Sequence, residues 1–130
     1  MIKIEVSFGE VFDKLSILGI KKEKIKDPEK LKQIQFEVDA ISSSLQELVI
    51  NKDQTTIMVA LIAKLKEINN KLWDAEDVLR ECDKNKDYGD KFVEAAKKDI
   101  NLNDDRFVVK RKINEALTSA IKETKSYDGL

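Results

Sequence analysis

Two pairs of carboxylates are the residues of this sequence whose spacing is best suited to chemistry. Glu10 and Asp13 lie one helical turn apart. Asp74 and Asp77 repeat that spacing, with Glu76 between them. If two such turns faced each other across a helical bundle, their oxygens could bind Mg²⁺ or Mn²⁺, because these hard cations favour oxygen ligands. The first chemical hypothesis is therefore a divalent-metal site.

Two interpretations of these carboxylates are open. Their spacing resembles the paired acidic turns of all-helical nucleotide pyrophosphatases, although the fuller acidic pattern of those enzymes is missing. That resemblance implies a metal-dependent phosphohydrolase with Glu10, Asp13, Asp74 and Asp77 as catalytic residues, Glu76 as a further metal ligand, and Mg²⁺ or Mn²⁺ as cofactor. Acidic residues three apart are also common on any charged helix, where they are solvated or form ion pairs. We favour this second interpretation, which predicts no catalytic residue, no metal and no cofactor.

The residue types that the sequence lacks exclude several classes of site. The chain has no His, so it offers no imidazole base and no Ser-His or Cys-His pair. Its single cysteine, Cys82, cannot build a sulfur-rich zinc site, and its apolar position predicts a small core side chain. The four glycines are isolated, so neither a phosphate-binding loop nor a dinucleotide fingerprint is present.

Charge and hydropathy indicate the cellular setting. The 24 basic and 25 acidic residues are spread evenly, and the one tribasic run, Lys110-Arg111-Lys112, points to different faces of a helix. We interpret that run as a solvated face and expect no nucleic-acid partner. The longest apolar run, residues 57–63, is too short to span a bilayer, and the N-terminus lacks a signal-peptide pattern. With a single cysteine, these features predict a cytoplasmic protein without membrane contact.

The composition predicts a single helical domain. Of the 130 residues, 42% are apolar and 38% are charged, but only four are Gly and one is Pro. So few turn-forming residues favour long helices over many short strands. We therefore predict an all-α fold over residues 1–130, with a frayed tail at residues 126–130.

Start and stop signals divide this domain into five helices. Ser7 and Glu10 form a capping-box pattern, and Asp27-Pro28 is a second start signal. The predicted helices cover residues 8–26, 28–49, 54–84, 91–100 and 105–122, the last two separated by cap-forming residues 101–104. Ahead of the first helix, residues 2–6 alternate apolar and polar side chains, as a short extended strand does, with no second strand to pair with.

The apolar spacing predicts how the two longest helices pack. Both carry an apolar residue at alternating intervals of three and four, which is the seam of a coiled coil. The seam residues are Leu31, Ile34, Val38, Ile41, Leu45 and Leu48 in the second helix and Met58, Leu61, Leu65, Ile68, Leu72, Ala75, Leu79 and Cys82 in the third. Matched seams and a short connection predict a long antiparallel hairpin of these two helices.

A second apolar flank on the third helix suggests a further packing partner. Trp73 lies off the seam, on the flank that also carries Val59 and Ile62, and Ile17 and Ile20 continue the stripe of Glu10 and Asp13 on the first helix. This flank is either core or an oligomer contact. The candidate interface residues are Trp73, Ile62, Ile17 and Ile20.

One glycine is predicted inside a helix. Gly19 lies within the first helix, where glycine costs on the order of 1 kcal/mol relative to alanine. We favour close approach of another helix as the reason and keep a tolerated substitution as the alternative.

Three stretches resemble a family of small uncharacterised bacterial and phage proteins. They are residues 4–15 (IEVSFGEVFDKL), 72–77 (LWDAED) and 103–106 (NDDR), and the resemblance extends over residues 2–118. Gly19 departs from the family pattern, which has a longer polar residue there. The resemblance implies a self-contained all-helical domain. It assigns no functional residue, because the family has no established activity.

The function we predict is that of a non-enzymatic helical module for interaction or assembly. The unpartnered residues 2–6, the second apolar flank and the net charge of −1 together favour a homodimer, with an unknown protein partner as a further expectation. The metal-dependent phosphohydrolase is the alternative.

Overall fold

The computed structural model describes residues 2–118 as four α-helices. They are α1 (Phe8–Lys24), α2 (Pro28–Ser44), α3 (Lys52–Lys84) and α4 (Asp90–Ala116). The predicted all-helical fold is confirmed. The predicted frayed tail and the last turn of the predicted fifth helix lie outside the described residues.

Both predicted start signals cap a helix, but the predicted capping box at Ser7 and Glu10 is only half formed, because the Glu10 carboxylate pairs with Lys110 of α4. Ser7 Oγ accepts a hydrogen bond from the Glu10 amide at 3.3 Å, and Asp27 Oδ1 accepts one from the Glu29 amide at 3.0 Å. Each bond satisfies one of the amide groups that the first turn of a helix leaves without an intrahelical partner.

The third helix has a capping box at Asn51 and Gln54, whose side chains each accept a bond from the other residue's amide. Gln54 Nε2 also donates to the Ala116 carbonyl at 3.0 Å. That second bond ties the start of α3 to the end of α4.

The predicted break between the fourth and fifth helices is wrong, because α4 runs without interruption from Asp90 to Ala116. Asn103 was one of the four residues, 101–104, expected to supply the cap of a new helix. Its Nδ2 instead donates to the Asp99 carbonyl at 2.9 Å and to the Asp99 carboxylate at 3.3 Å, one turn earlier. A polar side chain that bonds back along its own helix leaves the backbone ladder intact, so the helix continues.

The predicted hairpin of the second and third helices is not formed. Within the described residues, α3 pairs along its length with α4, and α1 is the helix against which α2 packs. The face of α3 that we assigned to the seam is nevertheless the buried one. Heptad spacing identifies which face of a helix is buried. It does not identify the helix that packs on that face, because several helices of the chain have an apolar face.

The main core lies between the antiparallel helices α3 and α4. Its buried residues are Met58, Leu65, Ile68, Leu72, Val109, Ile113 and Leu117. Phe8 and Phe12 of α1 pack against this cluster, as do Leu48 and Ile50 of the connection between α2 and α3. Cys82 is buried, as its seam position predicted.

α1 joins α2 to the rest of the molecule. It contacts all three other helices, whereas only Ile34 of the α2 seam is buried. Polar contacts support the α1–α2 pair: Lys14 forms a salt bridge of 3.4 Å with Glu37. Residues 2–6 adopt no helix or strand and are exposed.

Replacing Leu65 tests the assignment of the buried face. Leu65 is 0% exposed, so Leu65→Ala should lower the free energy of unfolding by about 2–5 kcal/mol through lost burial and the remaining cavity. Val59→Ala is the matched control on the same helix, because Val59 is 65% exposed, and its cost should stay below about 0.5 kcal/mol. Denaturant unfolding measures both, and equal losses would contradict the assignment.

Candidate functional site

The first turn of α1 lies directly against the backbone of α4. The Gly9 amide donates to Asn114 Oδ1 at 2.7 Å. A Cβ atom at Gly9 would lie 2.5 Å from the carbonyl oxygen of Lys110, closer than any real Cβ contact. Glycine at this position therefore permits the approach of the two helices, and Asn114 satisfies a buried amide there.

A buried lysine adds a charged contact to this junction. Lys110 is only 6% exposed and forms a salt bridge with Glu10. The prediction that Lys110 belongs to a solvated basic face is wrong, because α1 covers it. A charge removed from water needs a partner, so Glu10 is committed to neutralising Lys110.

The second predicted carboxylate of α1 is also engaged. Asp13 is buried, and Asn69 Nδ2 of α3 donates to its Oδ1 at 3.0 Å. The same amide nitrogen lies 3.2 Å from Ser16 Oγ, one turn further along α1. Asp13 therefore accepts a bond that ties α1 to α3.

A further contact between these helices is electrostatic. Lys66 Nζ of α3 donates to Glu23 Oε1 of α1 at 2.8 Å. This hydrogen bond and the positive charge of Lys66 hold the pKa of Glu23 below its usual value. Both side chains are about half exposed, so we treat the pair as positioning α1 and not as a large source of stability.

A small cavity lies beside these polar contacts, where α1, α3 and α4 meet. Its volume is about 230 Å³. The apolar lining residues are Ile17, Ile20, Leu72 and Trp73, and the polar ones are Lys21, Asn69, Glu76, Arg80 and Arg106. Asn69 belongs both to this lining and to the contact with Asp13, so the cavity and the junction are continuous. The cavity combines an apolar wall with a mainly cationic one.

The four carboxylates of the alternative, metal-dependent interpretation do not converge in the part of the chain that the structure describes. Within residues 2–118, no group of three or more His, Cys, Asp or Glu side chains is close enough to hold a metal ion. Asp74 lines a separate groove between α3 and α4, Glu76 lines the cavity, and Asp77 is exposed. The absence of a metal cofactor stays a prediction, and the alternative of Mg²⁺ or Mn²⁺ has no ligand set among the described residues.

The four candidate interface residues differ in how far they are exposed to solvent. Ile20 is buried within the chain, and Ile17 and Trp73 are half-buried in the cavity wall. Ile62 is 40% exposed. α1 therefore covers only part of the apolar flank of α3, and Ile62 is the candidate that this chain leaves most accessible.

Sequence reasoning chose the wrong glycine for a close helix contact. Among residues 2–118, no atom outside α1's own backbone and the neighbouring residues lies within 4 Å of a Cβ position at Gly19, so the alternative of a tolerated substitution describes it better. The contact is made at Gly9. No local signal distinguishes the two glycines, because both lie inside the same helix.

Sequence reasoning also missed the residues of α4 that face α1. Arg106, Lys110 and Asn114 follow one another at intervals of four, on one face of the helix. This spacing could have indicated a polar contact face, but a charged stripe of this kind is usually solvated.

None of the described helices has the length and apolar character needed to cross a membrane. The fold and the site define a class of all-helical protein in which polar side chains join three helices beside a small cationic cavity. The chain belongs to DUF6165, a family of unknown function, which it matches over residues 2–130. This supports the predicted resemblance to an uncharacterised family. No curated protein and no solved structure matches the chain.

Alanine at the two glycines of α1 should have opposite effects on stability. Gly9→Ala should destabilise by about 1–3 kcal/mol, because the new methyl group overlaps the Lys110 carbonyl oxygen. Gly19→Ala should stabilise by about 0.5–1 kcal/mol, because its surroundings are open and alanine has less backbone freedom to lose. Urea unfolding of both variants measures the difference. A destabilising Gly19→Ala would show that this position needs glycine.

Divalent metals should not stabilise the protein. Because the acidic residues do not converge, the thermal unfolding midpoint should be the same with and without Mn²⁺, both in the wild type and in Asp13→Asn/Asp77→Asn. A ligand of the native state at 100 times its dissociation constant would add about 2.7 kcal/mol. Such a gain in the wild type, lost in the double variant, would establish the metal-dependent alternative.

Proposed function

We propose that this protein is a non-enzymatic helical module for interaction and assembly, and that it forms a homodimer through residues 2–6. The observation that carries the proposal is the exposure of this segment. Ile2 is 91% exposed and Ile4 is 77% exposed, and within the described residues the segment belongs to no sheet. Large apolar side chains exposed beside unpaired backbone groups are typical of a surface that pairs with another chain.

The pattern of the segment suits pairing with its own copy. Ile2, Ile4 and Val6 alternate with Lys3 and Glu5, so in an extended strand the apolar side chains share one side. In a two-fold dimer, two such strands run antiparallel, and Lys3 of one chain lies near Glu5 of the other. The segment therefore supplies backbone bonds, apolar cover and complementary charge to the same partner.

The exposed part of the α3 flank is a second surface that could contribute to the dimer interface. Val59 and Ile62 lie on the part of the α3 flank that α1 does not cover, and Val59 is 65% exposed. The net charge of −1 opposes association only weakly. Trp73 and Ile20 make contacts within the chain, which is why we assign the principal interface to residues 2–6 and not to them.

Light scattering of the full chain at several concentrations tests the proposal. The mass of one chain is 14.9 kDa, and a dimer should have twice that mass in the micromolar range. Ile4→Lys should dissociate it, because a charge replaces an apolar anchor whose loss at a central position costs about 2 kcal/mol or more. Val49→Lys is the matched control: Val49 is 90% exposed in the connection after α2, so the same exchange should leave the dimer intact.

The outcomes separate three cases. A mass of 14.9 kDa throughout the micromolar range would refute the homodimer. A dimer that survives Ile4→Lys but dissociates with Ile62→Lys would move the interface to the flank of α3. A dimer that survives both substitutions would refute both proposed surfaces.

A further inference from the structure

The arginines of this chain are concentrated at the cavity between α1, α3 and α4. The sequence contains only three, Arg80, Arg106 and Arg111, and two of these line a cavity of about 230 Å³. Among the described residues, neither Arg80 nor Arg106 forms a salt bridge. A guanidinium presents a planar fork of donors that matches an oxyanion, so two of them at one cavity are a recognition element for a charged group.

We propose that this cavity binds a small phosphomonoester with a flat or apolar organic group. Lys21, Arg80 and Arg106 are its cationic lining residues, and Glu76 is the acidic one. The lining therefore has a surplus of two positive charges, which a phosphomonoester carrying nearly two negative charges at neutral pH would balance. A carboxylate would neutralise only half of that surplus and should bind more weakly.

The apolar wall accounts for the organic part of the ligand. Trp73 and Ile17 are half-buried there, and Leu72, which also lines the cavity, is buried. An aromatic side chain offers a large flat contact at low entropic cost. The volume is below the roughly 300–1,000 Å³ of pockets for drug-sized ligands, so the occupant is a small molecule and not a dinucleotide.

The groove between α3 and α4 shows that this charge pattern is specific to the cavity. That groove is larger, about 740 Å³, but its charges are balanced. Its charged lining residues are Lys71, Lys91 and Lys98 against Asp74, Glu94 and Asp105. It has no arginine and no aromatic side chain among its lining residues. The net charge of the whole chain is −1, so the surplus of positive charge at the smaller cavity is a property of that cavity and not of the chain as a whole.

Fluorescence titration of the full chain with phenyl phosphate tests the proposal. The chain has a single tryptophan, and it is in the cavity wall, so its emission reports on this site alone. Phenol is the neutral control and sodium benzoate the monoanionic one, each added at constant ionic strength set with sodium chloride. Phenyl phosphate should change the emission saturably, with a dissociation constant at least tenfold below that of phenol. Benzoate should lie between them.

Substitution of the arginines completes the test. Arg106→Gln and Arg80→Gln should each weaken phenyl phosphate binding roughly tenfold or more, the usual effect of losing a hydrogen bond to a charged group. Arg111→Gln is the matched control, because it removes the same charge from α4 at a residue that pairs with Glu115 and not with the cavity. Circular dichroism confirms that each variant remains helical.

Each possible result of these titrations either supports or refutes the proposed phosphomonoester site. Saturable binding that both cavity variants weaken and the control does not would establish the site. No saturable change with up to about 10 mM phenyl phosphate, where even millimolar affinity would be visible, would overturn the proposal. Equal binding of phenol would refute the recognition of phosphate, and stronger binding of benzoate would reassign the site to carboxylates. Equal loss in Arg111→Gln would show that only the overall charge matters.

Discussion

The approach of α1 to the backbone of α4 at Gly9 is the constraint on which the other features depend. The Gly9 amide donates to Asn114 Oδ1, and the Lys110 carbonyl lies so close to Gly9 that a Cβ atom would not fit there. With α1 held at this distance, Glu10 reaches Lys110 and Asp13 reaches Asn69. Lys110, Asp13 and Asn69 lose water on burial, so their bonds are needed to offset the loss of solvation, whereas Glu10 stays partly exposed. The junction is therefore cooperative: displacing α1 would leave several buried polar groups without partners at once.

The position of α1 also determines which surfaces are open. α1 covers part of the flank of α3, where Ile20 is buried, and leaves Val59 and Ile62 exposed. α2 packs on α1 and does not reach α3, so it contributes no cover there. The cavity with Trp73 and the two arginines lies at the edge of this partial cover.

The distribution of polar groups distinguishes structural roles from recognition. Lys110 is paired with Glu10, and Asp13 accepts a hydrogen bond from Asn69, so these groups serve contacts between helices. Arg80 and Arg106 line the cavity beside Trp73 and form no salt bridge among the described residues, which is why we propose a ligand for them. Burial and pairing distinguish the residues that join helices from those that line the cavity. Residue type does not, because a carboxylate or a lysine can have either role and the sequence does not show which.

The sequence by itself determined the helical class, the caps at Ser7 and Asp27, and the buried face of α3. These features depend on residues within one or two turns of each other, where helix geometry relates spacing directly to position. Only the tertiary structure decided that α4 and not α2 covers α3, that Asn103 bonds back along its helix, and that Gly9 and not Gly19 is the contact glycine. Several helices of this chain carry similar apolar faces. The choice among them depends on packing distances and on the pairing of buried polar groups between residues as far apart as Gly9 and Asn114, and no local spacing encodes that choice.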